Sequence, residues 1–325
     1  MSSVVVATGL ACARTDFTTG SDPTNGLTPE SGPQEAGPPE VDPPEEGPPE
    51  VVPIGEVELC NIPMSKWKWS EPAAAQDVMD LIDGIRTSTN FPLDYQNYDP
   101  TVTEDGRTLY LSSLCQGEWD VYQFTRPGTT APFDTVTKAS DDINQPGVET
   151  FGFQRLDSVH SALAFGTYVD ATQRVFLGDP ATSPIVFQQA PVTSAFAVSD
   201  PRLTPTARTM VFVMPEATKQ RLFVSPAPFE TATRLTGFAE SDLSAPWLSG
   251  DERTIFYVQD QDIWVATRES TSAAFTANTP IAALNSIDYD GEPYFIETAG
   301  SCELFFISLR GGGGLDLYRS VLSAQ

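Results

Sequence analysis

From Asp99 to Ser113 the chain reads DPTVTEDGRTLYLSS: a proline opens a short stretch, a polar break with an Asp-Gly pair follows, then an apolar-rich, alternating run. The cadence returns. Aligned on the proline, the anchors are Asp99-Pro100, Gln145-Pro146, Asp200-Pro201, Ala245-Pro246 and Glu292-Pro293, spaced 46, 55, 45 and 47 residues apart. Behind each lies a strand-like run: TLYLSS (108–113), ALAFGTY (162–168), TMVFVM (209–214), TIFYVQ (254–259) and ELFFIS (303–308). A second run of the same flavour follows: WDVYQFTR (119–126), RVFLG (174–178), RLFVS (221–225), DIWVATR (262–268) and LDLYRS (315–320). Short runs rich in Val, Ile, Phe and Tyr and bounded by turn residues predict strands.

A period of 45 to 55 residues built from such strands predicts an all-β fold, a β-propeller. Each repeat is a small sheet that cannot hide both faces alone, so the sheets stack radially and bury one another. Five anchors imply five blades. The last repeat stops at Gln325, after its third strand, so KWKWSEPAAA (66–75) is expected to supply the missing outer strand and close the ring. A sixth, degenerate blade between Val51 and Pro92 is the alternative. AAAQDVMDLIDGIRT (73–87) has helical spacing and fits a short helix leading into the first blade.

The phrase DPTVTEDGRTLYLSS…GEWDVYQFTR resembles the WD40-like repeat of TolB-type propellers, which run roughly P-x-x-S-P-D-G-x-x-L-x-F-x-S and then D-I-Y. The resemblance covers about residues 65 to 325. Later repeats keep the strands but lose the Asp-Gly turn, as in PTARTM (205–210) and GDERTI (250–255). The resemblance implies an interaction scaffold rather than an enzyme, and does not name a partner.

The charge balance restricts the possible partners. The 325 residues carry 44 acidic and 18 basic side chains, a net charge of −26. Such a surface repels nucleic acid and anionic lipid headgroups and attracts cations or a basic patch on another protein. Between Asp16 and Glu58 lie 11 acidic residues and no Lys or Arg, including the Pro/Glu tract GPPEVDPPEEGPPEVVP from Gly37 to Pro53. That tract has almost nothing to bury and is expected to be a disordered spacer over 16–55, able to reach roughly 120 Å when extended at about 3.1 Å per residue. Ahead of it, MSSVVVATGLAC resembles the end of a bacterial lipoprotein signal, which implies export and lipidation of Cys12. The expected organisation is therefore a signal segment (1–15), the acidic spacer, and a propeller over 56–325. The chain is expected to be monomeric, held at the bacterial periplasm or outer-membrane surface, and in contact with membrane only through a lipid anchor.

Candidate chemistry is sparse. The single histidine, His160, sits beside a strand, and there is no G-x-S-x-G nucleophile turn. The four cysteines lack paired metal-ligand spacing. RGGGGLDLY (310–318) is not followed by the Lys-Ser/Thr of a phosphate loop and fits a loose hairpin. The aspartates offer more: Asp99, Asp142, Asp200, Asp242 and Asp290 each stand within a few residues of an innermost strand, where repetition would bring them to one mouth of the channel. They act either as turn formers or as a mouth for calcium or a cationic ligand. No other cofactor is expected. The five tryptophans fall in or near repeat strands and serve blade packing or, alternatively, sugar stacking. The reading is a non-catalytic envelope propeller that binds a protein partner or an envelope polymer; the alternative is a glycoside hydrolase or carbohydrate-binding propeller with carboxylates near the axis. Strand direction places Cys60 and Cys302 on one face of one blade, with Cys115 across the sheet, so export predicts a Cys60–Cys302 disulfide.

Overall fold

The computed structural model describes residues 57–89, 96–114, 119–141, 143–144, 150–155, 163–169, 172–178, 187–192, 198–298, 301–312 and 314–325. Within these, the repeat becomes a series of small antiparallel sheets, each meandering outward from an inner strand. The first holds Asn97–Val102, Thr108–Leu114, Trp119–Thr125 and Thr135–Lys138. The second holds Thr150–Arg155, Leu163–Val169, Thr172–Gly178 and Phe187–Gln189. The third holds Ser199–Leu203, Thr209–Glu216, Lys219–Pro226 and Thr233–Arg234. The fourth holds Leu243–Leu248, Thr254–Gln259, Asp262–Thr267 and Thr276–Pro280. The fifth holds Asp290–Thr298, Ser301–Ser308 and Asp316–Ala324.

The inner strand of each sheet lies beside that of the next, and the inner strand of the fifth lies beside that of the first. This arrangement is propeller-like, and burial follows from it. Second strands are covered by neighbouring sheets on both faces, so Thr254–Gln259 is buried along its whole length, whereas the outer strand Thr276–Pro280 is mostly exposed. The fourth position of the fifth sheet is taken from the other end of the chain. Trp67–Trp69 pairs antiparallel with Asp316–Ala324, with Leu322 opposite Trp69 and Ala324 opposite Trp67. Ala73–Ala74 extends the contact. Trp69 then stands edge-on to Phe256 and Phe295, at ring-centroid distances of 6.0 and 6.2 Å, so the N-terminal strand joins the aromatic seam between the fourth and fifth sheets. Pairs of this kind are worth about 0.5–1.5 kcal/mol each beyond their area.

The helical spacing over 73–87 forms an α-helix, Gln76–Thr89. It buries Val78, Met79 and Ile82 on the face that meets the sheets, together with Arg86. The Arg86 guanidinium donates to Asn97 Oδ1 (3.2 Å) and Ser113 Oγ (3.0 Å), which fixes the helix to the start of the first sheet.

The turn between inner and second strands persists where its Asp-Gly signature is lost. In three sheets a hydroxyl accepts the backbone N–H five residues on: Thr103 from Thr108 (3.1 Å), Thr204 from Thr209 (3.3 Å) and Ser249 from Thr254 (2.9 Å). The third residue after that hydroxyl is left-handed each time, at Gly106 (φ 68°), Ala207 (φ 56°) and Glu252 (φ 59°). Only glycine does this without strain; the other two bear a cost of roughly 1–2 kcal/mol. At Gly106 a Cβ would also stand 2.7 Å from a Thr298 methyl, so the first repeat has no choice.

Candidate functional site at the channel axis

The site grows out of the proline anchors. Each described anchor sits at a β-bulge in an inner strand, where the register shifts between Tyr98 and Thr101, Ser199 and Arg202, Ser244 and Trp247, and Gly291 and Tyr294. Proline has no N–H to offer a ladder and is accommodated at a bulge. The residue before it turns left-handed: Asp99 (φ 53°), Asp200 (φ 49°), Ala245 (φ 46°) and Glu292 (φ 54°). Aspartate tolerates this conformation better than alanine or glutamate. Strain repeated at one level of several sheets directs these side chains toward one another.

Asp99, Asp200 and Glu292 gather around Arg202. Its guanidinium lies 3.2 Å from Asp99 Oδ1 and 3.3 Å from Glu292 Oε2, and donates to the Pro100 carbonyl at 3.3 Å. Arg202 is 2% exposed, Glu292 10% and Asp99 15% by side chain, so the cluster is shielded but touches the mouth. Asp200 Oδ2 accepts the Ala245 N–H at 2.9 Å, linking the anchors of the third and fourth sheets. One guanidinium among three acids leaves the group short of positive charge. Burial, opposed by the Ala245 hydrogen bond and added to by the Asp99 charge, pushes the Asp200 carboxyl up to about 6. Burial and the charges of Asp99 and Asp200 hold Glu292 well above the usual carboxylate range. Tyr98 and Tyr289 stand close by: burial and then Glu292 push both hydroxyls upward. Gly291 is required here, because a Cβ would lie 2.1 Å from the Tyr289 hydroxyl.

Below the acids the axis is filled. Gln154 of the second sheet donates to the Leu203 carbonyl of the third (2.9 Å) and accepts the Leu203 N–H (2.7 Å). Its amide also reaches the Tyr294 hydroxyl of the fifth sheet at 3.5 Å, and that hydroxyl donates to the Val102 carbonyl of the first (3.1 Å). The Arg202 guanidinium lies over the Tyr294 ring, 5.6 Å from its centre. Gln154, Arg202 and Tyr294 are all buried. They tie four sheets together and divide the mouth from the far end of the channel.

Of the five aspartates suggested by the sequence, Asp99 and Asp200 meet at this site. Asp242 does not: its side chain is 60% exposed and accepts the Gln220 N–H at 2.8 Å, beside Lys219. Asp290 is fully buried but faces away from the axis, accepting from Ser286 Oγ at 2.8 Å and paired with Arg310 at 2.5 Å. Both precede the bulge, and the bulge is what aims a side chain at the axis. Asp142, His160, Cys115 and Cys12 lie outside the described residues, as do the signal-like segment and the spacer. Glu292, Arg202 and Gln154 were not singled out by sequence; Glu292 occupies the column immediately before the anchor proline. Among the described residues no group of three or more His, Cys, Asp and Glu side chains is arranged to hold a metal ion. Cys60 and Cys302 are joined by a disulfide, with Cα atoms 6.3 Å apart.

No family model matches the chain, and no curated protein matches it. Solved structures of similar fold include TolB from Acinetobacter baumannii, at 15% identity and TM-score 0.42 over 70% of this chain and 55% of that one. The chain thus spans about half the length of that TolB. They also include the RS223 β-xylosidase, at 13% identity and TM-score 0.48 over 72% and 94% of the two chains. A third is the α-L-arabinofuranosidase PaAbf62A from Podospora anserina, at 9% identity and TM-score 0.48 over 70% and 91%.

Proposed function

We propose that this chain is a non-catalytic propeller of the bacterial cell envelope that binds a protein partner or an envelope polymer. In this reading the five sheets are five blades, closed by the N-terminal strand. Cys12 is lipidated after export, and the acidic Pro/Glu stretch holds the propeller away from the membrane. One observation carries the binding reading over catalysis. The axial acids are engaged with Arg202 and with the Ala245 backbone, above an axis filled by Gln154, Arg202 and Tyr294. A glycosidase needs two carboxyl groups about 5–9 Å apart with a sugar ring between them. Here a guanidinium stands between Asp99 and Glu292 instead. The test is co-purification from the native envelope with and without detergent. Recovery of one stoichiometric partner supports the reading, and recovery of the chain alone under mild crosslinking argues against it.

A second reading keeps a specific observation in its favour. Asp200 and Glu292 are held protonated more readily than ordinary carboxyls, as a general acid must be. A glycoside hydrolase would turn over a panel of aryl pentosides and hexosides, and Asp99→Asn or Glu292→Gln would abolish that turnover. The binding reading expects no turnover.

A further inference from the structure

At the far end of the channel, beyond the layer of Gln154, Arg202 and Tyr294, is a cavity of about 590 Å³. Its described wall is aromatic and aliphatic: Trp247 from the fourth sheet, Tyr294, Phe295 and Ile296 from the fifth, and Leu59 from the segment stapled by the disulfide. Its acids are Glu58, Glu104, Asp251 and Glu297, and no Lys, Arg or His is among the described lining residues. Trp247 is 3% exposed, and its Nε1–H finds no hydrogen-bond acceptor.

The geometry points to this cavity as the seat of an arginine or lysine side chain carried on an exposed basic segment of a partner protein. The inference deepens the binding reading and rests on it. Two features fit one occupant. Aromatic faces and carboxylates together favour a cation with an apolar stem, because the stem is buried on the rings while the head meets the acids. The Tyr294 ring already carries the Arg202 guanidinium within this same protein.

The test uses the full chain and fluorescein-labelled Gly-Arg-Gly-Arg-Gly, against the same peptide with citrulline replacing each arginine. Citrulline keeps the shape but removes the charge, replacing one guanidinium nitrogen by a carbonyl oxygen. Fluorescence anisotropy is read for the parent, for the Glu58→Gln, Glu297→Gln pair, and for a control pair, Glu230→Gln with Asp288→Asn, that removes the same charge elsewhere. The expected result is a preference for arginine over citrulline of at least about tenfold in Kd, lost in the cavity pair and kept in the control pair. Equal weakening by both pairs would mean that only the overall negative field attracts the peptide, and equal affinity for both peptides would mean that the cavity does not read charge. Either result overturns the inference. Capture of an envelope partner equally by the parent and the cavity pair would leave the binding reading standing and remove this cavity from it.

Discussion

The acidic cluster at the axis carries a cost in stability that one substitution should relieve. Asp200→Asn keeps the oxygen that accepts the Ala245 N–H, and asparagine tolerates the left-handed backbone at least as well as aspartate. What it removes is a charge. In the folded chain burial raises this carboxyl from 3.8 to about 6, so the native state binds the proton more tightly than the unfolded chain does. The sign follows from linkage. Below the unfolded value both states are protonated and there is no penalty. Between about 4 and 6 the unfolded chain ionises first, and stability falls as pH rises. Above the folded value the penalty is complete and constant. A displacement from 3.8 to about 6 is worth about 3 kcal/mol when fully developed.

Asp200→Asn should therefore stabilise the protein by up to about 3 kcal/mol near pH 8, and by almost nothing near pH 4, where the parent carboxyl is already neutral. Urea unfolding followed by far-UV circular dichroism at the two pH values measures this directly. With a slope near 3 kcal/mol per molar urea, the midpoint should rise by about 1 M at the higher pH alone. Asp99 and Glu292 remain beside Arg202 in the variant, so the guanidinium keeps both of its carboxylate contacts. An equal gain at both pH values would assign the effect to backbone strain. A loss at the higher pH would show that the Asp200 charge is compensated, and the account of the cluster would fail.

Arg202→Met tests the same cluster from the other side. It leaves three acids without their cation and should cost about 3–5 kcal/mol near pH 8, partly regained near pH 5 as Glu292 and Asp200 take up protons, in the same urea series. Ala207→Gly relieves a left-handed alanine in a half-buried turn and should raise Tm by about 1–3 °C by calorimetry; a fall in Tm would mean that the packing of the Ala207 methyl outweighs the strain. Cys60→Ser with Cys302→Ser opens a bridge between positions 242 residues apart and should lower stability by about 2–5 kcal/mol, with non-reducing peptide maps of the parent giving the linked pair. Deleting residues 1 to 53 should leave the melting transition nearly unchanged, whereas deletion through Pro72 removes Trp67–Trp69 from its pairing with Asp316–Ala324 and should abolish cooperative unfolding.

Much of the fold was legible because strands announce themselves by local composition. The runs at 108–113, 209–214, 254–259 and 303–308 all lie within second strands, since a strand buried on both faces needs consecutive apolar residues. The closing strand was legible for a different reason: the last repeat stops after its third strand, and an unpaired edge needs a partner. The turns were less transparent. Without glycine, the sequences around Ala207 and Glu252 suggest that the tight turn is gone, yet both residues adopt the left-handed conformation. A side chain can be forced there when the hydroxyl of Thr204 or Ser249 and the flanking strands over-determine the loop. Propensity then yields to context.

The site was legible in its kind but misaimed in its register. Proximity to an inner strand was the criterion that brought Asp242 and Asp290 in, and distance along the chain does not say which way a side chain points. In a regular strand, direction alternates residue by residue; at a bulge the alternation breaks, and one extra residue re-aims its neighbour. The anchor prolines mark where that happens. The residue just before each described proline is the one thrown toward the axis, which selects Asp99, Asp200, Ala245 and Glu292. Read down that single column, the repeat supplies carboxylates from three sheets and a methyl from a fourth. Arg202 lies two residues beyond the third anchor, in the strand that carries the Asp200 bulge. A strictly regular repeat would have placed a like charge at every anchor with no cation among them. Ala245 and Arg202 are the departures that make the cluster tolerable: one removes a charge and donates its backbone N–H to the neighbouring Asp200, and the other neutralises part of what remains. The asymmetry at the axis is therefore a condition for burying the acids at all.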